Sequence, residues 1–313
     1  MKSLVRIGTR GSALAMYQAE VVKIKIANDF PLIQAEIVKI KTSGDMIRRG
    51  GISPLVTKRI YTREIEESLL KGEVDIAVHS AKDLATELPA GLRIGAVLER
   101  EDPRDCLIAP GKKILSQLPH GARVGTSSLR RKMQLIRLNS GISVEELHGN
   151  VETRLKKVEE GHYDAIVLAH AGLKRLGLSQ HASQVFSENE FYPAPGQGVI
   201  VAQCREGDED VMEFLRPLHH EASGRRLDCE RGYLHRLEGG CQLPCGITTS
   251  IQGNQLSAAG GLFGVEPGEW VEDKKDGAAE HPRELGIALA EIILAKGGRE
   301  ILESIRRKSS KTS

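Results

Sequence analysis

The sequence has no apolar run that approaches the roughly 20 residues a membrane-spanning helix needs. No secretory apolar segment follows Met1, because Lys2 and Arg6 interrupt the residues there. Charge of one sign is also lacking. The chain carries 44 Lys and Arg against 42 Asp and Glu, a formal net charge of +2, which argues against a general nucleic-acid binder. There is no solenoid-type repeat, no low-complexity block, and no glycine-lysine loop of the Walker kind. Cysteine is scarce and unpatterned. The five, Cys106, Cys204, Cys229, Cys241 and Cys245, are odd in number and irregularly spaced, which excludes a disulfide framework and fits free thiols in a reducing compartment. What remains is a soluble globular composition, 40% hydrophobic and 27% charged over 313 residues, enough for two or three domains. The expected location is the cytoplasm.

The first half alternates strand-like and helix-like stretches. Residues 4–9 read as a strand, and Ser12 caps a helix with Leu14, Tyr17, Val21 and Ile24 on one face. Residues 35–40 read as a strand, followed by a helix with Tyr61, Ile65 and Leu69 in line. Strands at 74–78 and 92–98 come next. The pattern then restarts: a strand at 123–126, a helix capped by Ser127 or Ser128, a strand at 144–147, a helix at about 151–160 and a strand at 165–169. Two such α/β units imply two mostly parallel sheets, with ligands expected outside the carboxyl ends of the strands, in a cleft between the units. The punctuated segment 193–198 and the strand at 199–204 suggest a return to the first unit. From His219 the composition changes. A helix to about Leu237, short strands at 246–251, 255–262 and 269–272, and a helix carrying Leu285, Leu289, Ile292 and Ile293 predict a small antiparallel α+β domain. Residues 308–313 are expected to be a frayed tail.

Three constellations carry chemistry. Val78-His79-Ser80-Ala81-Lys82-Asp83 ends an apolar strand with a lysine beside a carboxylate; Asp83 either caps a turn or serves as a catalytic carboxylate at a cleft rim. Arg236 to Pro244 places Cys241 after Gly239-Gly240, a setting that lets backbone approach whatever the sulfur carries. Cys241 and Cys245 also raise a zinc reading, with His219, His220 and Cys229 as further ligands. Pro244 inside the pair and the lack of a second tight ligand pair disfavour it, and no metal is expected. Arg10, Arg130, Arg131, Arg154 and Arg175 lie at strand ends or first helical turns, where guanidinium forks and helix N-termini suit a ligand with several carboxylates. His79, His148 and His170 have no metal or triad spacing and are read as packing or hydrogen-bonding residues.

These motifs resemble the porphobilinogen deaminase (hydroxymethylbilane synthase) family nearly end to end. The resemblance rests on Arg6-Ile7-Gly8-Thr9-Arg10, on Asp75 to Ser80, on Glu99 to Asp105, and on Gly125-Thr126-Ser127-Ser128-Leu129-Arg130-Arg131. It continues through Gly149-Asn150-Val151, Ala171 to Gly177, Pro195-Gly196-Gln197-Gly198 and Leu237-Glu238-Gly239-Gly240-Cys241. It implies an α/β fold with two type II periplasmic-binding-protein-like domains and a small C-terminal α+β domain. The implied boundaries are 1–98 with 199–216 for the domain of the catalytic aspartate, 104–192 for the domain of the anion-binding arginines, and 217–313 for the domain of the cofactor cysteine. The implied activity is a transferase that joins four porphobilinogen molecules head to tail, releasing ammonia, to give hydroxymethylbilane. The implied cofactor is one dipyrromethane, held by a thioether to Cys241. Asp83 matches the catalytic position, and Lys82, Asp83, Ser128, Arg130 and Arg131 match cofactor-binding positions. Arg10, Ser12, Lys58, Tyr61, His148, Arg154 and Arg175 match substrate-binding positions. A monomer acting on a small molecule is implied, with no nucleic-acid or membrane partner.

The sequence departs from the family pattern in three places. His148 stands where arginine is usual, and neutral imidazole cannot hold a carboxylate as guanidinium does. The segment 55–61 has lost the usual glycines, with Tyr61 replacing a phenylalanine, which predicts a stiffer lid. Ala81 stands where methionine is common. The alternative readings are a non-catalytic polycarboxylate-binding protein and a homologue of low activity.

Overall fold

The structure, a computed structural model, describes residues 2–46, 61–237, 243–266 and 268–311. In chain order the first elements are β1 (Leu4–Thr9), α1 (Ala13–Asp29), β2 (Gln34–Lys39), α2 (Ser43–Met46), α3 (Arg63–Leu70), β3 (Ile76–Ser80) and β4 (Leu92–Val97). Then follow β5 (Asp105–Ile108), β6 (Arg123–Gly125), α4 (Leu129–Leu138), β7 (Ser143–Glu145), α5 (Val151–Glu159), β8 (Ala165–Ala169), α6 (His170–Arg175) and β9 (Gln184–Val185). The chain continues through β10 (Ile200–Arg205), α7 (Glu209–Leu215), α8 (Glu221–Arg236), β11 (Cys245–Gln252), β12 (Gln255–Phe263), β13 (Trp270–Ala278), α9 (Pro282–Ile293) and α10 (Arg299–Lys311). Two compact units emerge: residues 1–101 with 198–227, and residues 102–197 with 228–313.

The first unit holds a five-stranded sheet of order β2-β1-β3-β10-β4, and the second one of order β7-β6-β8-β5-β9. In each, the first three strands are mutually parallel. The fourth strand, β10 or β5, runs antiparallel to both neighbours. The mostly parallel sheets expected from the sequence are therefore mixed sheets. A parallel pair needs a crossover connection, usually a helix. β5 and β10 instead follow directly on the two points where the chain passes from one unit to the other, so no such crossover sets their direction. The fold class expected from the sequence holds in its α/β and α+β parts: two five-stranded sheets flanked by helices and a small C-terminal α+β element. The latter is the meander β11-β12-β13, packed against α8, α9 and α10.

The cores follow from strands apolar on both faces. Val5, Ile7, Val22, Ile26, Ile76, Val78 and Phe214 fill the first, and Leu107, Val124, Leu135, Val167, Phe186 and Phe191 the second. Tyr233, Ile247, Leu256, Leu262, Leu289 and Ile293 fill the third.

Several expectations shift. The buried face of α1 is Ala15, Gln18, Ala19, Val22 and Ile26, while Tyr17 and Ile24 are exposed. Two alanines bring the first half of the helix close to the sheet, Val22 and Ile26 pack further along, and Tyr17 and Ile24 are turned outward. Tyr61 precedes α3 rather than joining its stripe. β13 runs on to Ala278 through a charged stretch that resembles a loop; as an edge strand it half-buries one face and exposes the other. The expected tail belongs in large part to α10, anchored by Ile301, Leu302 and Ile305.

Candidate active site

In the first unit, β1 ends at Thr9 and Ser12 caps α1, its hydroxyl accepting from the Ala15 backbone N–H at 3.4 Å. Beside it β3 ends at Ser80, and a single 3₁₀ turn, Ala81–Asp83, follows. The two strand ends frame a cleft lined by Arg10, Ser12, Gln18, Tyr61, Thr62, His79, Ser80 and Asp83, among others. The Arg10 guanidinium lies over the Tyr61 ring, 4.2 Å from its centre. Gln18, buried on α1, donates to the Ser80 hydroxyl at 2.8 Å, fixing that oxygen and leaving its proton to point elsewhere. Lys82 is half-buried in the same turn as Asp83. The structure thus gathers Arg10, Ser12, Tyr61 and Asp83 of the sequence-predicted set into one cleft.

In the second unit, Ser128 caps α4 and accepts from the Arg131 backbone N–H. Arg130 and Arg131, each about 5–6% exposed, converge on Asp105 of β5. Arg130 Nη1 donates to Asp105 Oδ2 at 2.7 Å and to the Tyr192 carbonyl at 2.6 Å. Arg131 donates from Nε and Nη2 to Asp105 Oδ1 and from Nη1 to the Val167 carbonyl. Gln197 adds a hydrogen bond to Oδ1 at 3.0 Å. Burial alone would raise the Asp105 carboxyl, but the two guanidiniums hold it down at about 2. Asp105 and Gln197 were given no role in the sequence reading. Two consecutive arginines at the start of an amphipathic helix were the available signal, since a buried guanidinium demands a carboxylate. His148 is exposed, with its ring nitrogens 3.0 Å from Glu146 and 3.3 Å from the Ser127 hydroxyl. Arg154 donates from Nε to the Gly149 carbonyl at 2.8 Å, and Arg175 closes α6, half-buried. Cys241 and Lys58 lie outside the described residues.

Among the described residues no cluster of His, Cys, Asp or Glu could hold a metal ion. Cys229 and Cys245 of the zinc reading are buried, and burial pushes the Cys245 thiol up to about 12. Nor is any helix among the described residues long and apolar enough to cross a membrane.

A cleft that sets a guanidinium, hydroxyls and an aromatic face around one carboxylate is chemically suited to a small organic acid that carries a ring. Comparison with known proteins gives the family. Residues 5–213 match the dipyrromethane cofactor binding domain of porphobilinogen deaminase, and residues 225–295 match its C-terminal domain. The chain is 42% identical over 308 residues to the porphobilinogen deaminase of Carboxydothermus hydrogenoformans, covering 98% of this chain and 99% of that one. It is 43% identical over 302 residues to that of a Roseiflexus species, with 96% and 99% covered. Among solved structures, the methionine-binding protein MetQ is 13% identical with a TM-score of 0.45, over 73% of this chain and 95% of that one. The chain belongs to the porphobilinogen deaminase family. The sequence reading of a transferase that builds hydroxymethylbilane from porphobilinogen on a dipyrromethane primer stands.

The cleft fits such pyrrole acids. Arg10 suits a carboxylate, Tyr61 offers a face to a ring, and Asp83 can accept from a ring N–H.

Proposed function

We propose that Asp83 is the catalytic group of this transferase and that Cys241 carries the dipyrromethane through a thioether. The observation that carries the reading is the place of Asp83: it is the carboxylate of a cleft whose other polar groups include the donors Arg10, Ser12 and Ser80. Loss of ammonia from porphobilinogen leaves a cationic azafulvene. A carboxylate held in a confined cleft stabilises that cation and handles the proton lost when the rings couple. Arg10 and Ser12 hold substrate carboxylates, and Tyr61 covers the ring. Lys58, His148, Arg154 and Arg175 complete the substrate contacts, while Lys82, Ser128, Arg130 and Arg131 serve the cofactor. When bound, the dipyrromethane supplies the primer to which rings are added, and its tether keeps intermediates from being lost.

The same reading divides the chain into 1–98 with 199–216, 104–192, and 217–313. It makes the protein a cytoplasmic monomer whose partner is a small molecule, with neither nucleic acid nor membrane. Light scattering on the purified protein tests the monomer.

Intact mass tests the chemistry. The wild type should exceed its sequence mass by one dipyrromethane, and Cys241→Ser should lack the increment. Asp83→Asn should keep the added mass and lose most turnover, on the order of 10²-fold or more. A folded wild type at its bare sequence mass, or an Asp83→Asn enzyme at near-normal rate, would refute the assignment.

A further inference from the structure

The helix α4 works on two faces. At its first turn Arg130 and Arg131 turn inward to Asp105. A second row, Leu129, Met133 and Arg137, runs along the helix at i, i+4 and i+8 and faces the meander instead. Met133 packs with Tyr192 and with Phe263 of β12, and Leu129 lies beside them. At the end of the row the Arg137 guanidinium engages both its edge and its face. Nη1 and Nη2 donate to the two carboxylate oxygens of Glu272 at 2.8 and 3.1 Å, and the face lies over the Trp270 ring, 5.0 Å from its centre. Trp270 and Glu272 are two apart on β13 and share a face, while Val271 between them packs into the meander's own core.

Most surface ion pairs contribute little; a bidentate arginine is the exception. This one sits where packing is thin. The apolar seam between α4 and the meander has Met133, Tyr192 and Phe263 as its buried members, far fewer than fill the meander's own core. Its place along the meander also matters. Cys245 opens β11 opposite Leu262, Phe263 stands opposite Trp270, and the Phe263 N–H donates to the Pro244 carbonyl at 2.8 Å. The clasp thus grips the end of the meander that leads back to Cys241, three residues before Pro244. A second grip holds the same end. Arg130 and Gln134 donate to the Tyr192 carbonyl at 2.6 and 3.1 Å, and the Ile247 N–H donates to the Pro193 carbonyl at 3.0 Å. Gly246 comes so close that a Cβ there would stand 2.6 Å from that of Tyr192. Two grips, at the first and last turns of one helix and about 12 Å apart along it, fix an orientation where one would leave a pivot.

We propose that Arg137 is a positioning residue for the primer: by clasping Trp270 and Glu272 it holds the meander in one orientation on the helix of Arg130 and Arg131, so that the chain tethered to Cys241 is presented to those arginines in one way. This rests on the reading that Cys241 carries the dipyrromethane and that both arginines serve it.

The purified holoenzyme, its primer checked by intact mass, tests this through kcat and KM for porphobilinogen. The clasp acts on the tethered chain and not on the free substrate, so its loss belongs in kcat. Arg137→Ala should keep the added mass, hold KM within about twofold and lower kcat about fivefold, with a melting midpoint within about 3 °C of wild type. Arg137→Lys, which keeps the charge without the fork, should fall between. The double variant Arg137→Glu with Glu272→Arg remakes the ion pair the other way round and should recover kcat to within about twofold of wild type, a rescue that mere structural damage would not give. Wild-type kcat in a folded Arg137→Ala holoenzyme, a loss that appears in KM instead, or a double variant no faster than Arg137→Ala would each overturn the proposal and leave the primer reading standing. A folded wild type at its bare sequence mass would remove the primer itself, and the proposal with it.

Discussion

The two sheets are built to one plan down to individual residues. In the first unit the Arg6 backbone N–H donates to Asp75 Oδ2, and the Arg6 Nη2 donates to the Gly72 carbonyl. In the second, Arg123 makes the same two bonds to Asp164 and Gly161. Gly72 and Gly161 both have φ of +74°, where a side chain is strained. A Cβ on Gly8 would meet Val74 at 3.0 Å, and one on Gly125 would meet Tyr163 at 2.9 Å, in each case the residue two before the third strand. Against this shared frame the strand ends differ. The first unit presents His79, Ser80 and Asp83 to a cleft, whereas the second closes Arg130 and Arg131 onto Asp105. The difference teaches that the frame fixes where polar groups can be placed, and that the residues there decide whether a charge faces the cleft directly or is first anchored by a buried carboxylate.

The contrast breaks most severely at Asp105. Asp105→Asn leaves two buried guanidiniums without their carboxylate and should destabilise the second unit by about 3–5 kcal/mol. Denaturant melts should show it, together with weakened cofactor retention by mass. Unchanged stability would mean the ion cluster is ornamental. A middle-sized effect should separate the twin aspartates. Asp75 is buried, bonded by Lys2, Arg6 and Arg205 at 2.7, 3.2 and 3.5 Å; burial pushes its carboxyl up, yet Lys2 and Arg6 prevail and hold it at about 2. Asp164 is 45% exposed on its side chain. Asp75→Asn should therefore lower stability by about 2–3 kcal/mol and Asp164→Asn by less than about 1. A carboxyl lowered in the folded state stabilises above its unfolded value near 4. Wild-type stability should thus fall between about pH 4 and pH 2, and the Asp75→Asn protein should show a shallower acid slope. The smallest effect is expected at His148. Exposed and paired with Glu146, it should accept arginine with a stability change within about 0.5 kcal/mol and with equal or lower KM for porphobilinogen. A sharp loss of activity would give the histidine a function of its own.

Much of this was legible in the sequence because it is local. Buried strands such as Ala165–Ala169 read as unbroken apolar runs, and the caps Ser12 and Ser128 sit one residue before their helices. The motif strings gave the family and pointed to Arg10, Ser12, Tyr61 and Asp83, which the fold then brings to one cleft. What escaped depends on distant partners. The four residues of β5 and two of β9 are too short to announce themselves and exist only by pairing with β8 and with each other. The face of α1 was misread because the stripe looked for large apolar residues, while the packed face uses two alanines and a glutamine that reaches Ser80 across 62 positions.

The route of the chain has a consequence for how the protein is made. β10 lies between β3 and β4, so the sheet that contains the very first strand stays incomplete until residue 205 has been synthesised. The other sheet draws all its strands from residues 105–185. On a growing polypeptide the part begun second can therefore close first, and the half bearing Asp83 waits, its central gap open, for a strand delivered about 120 positions after that residue.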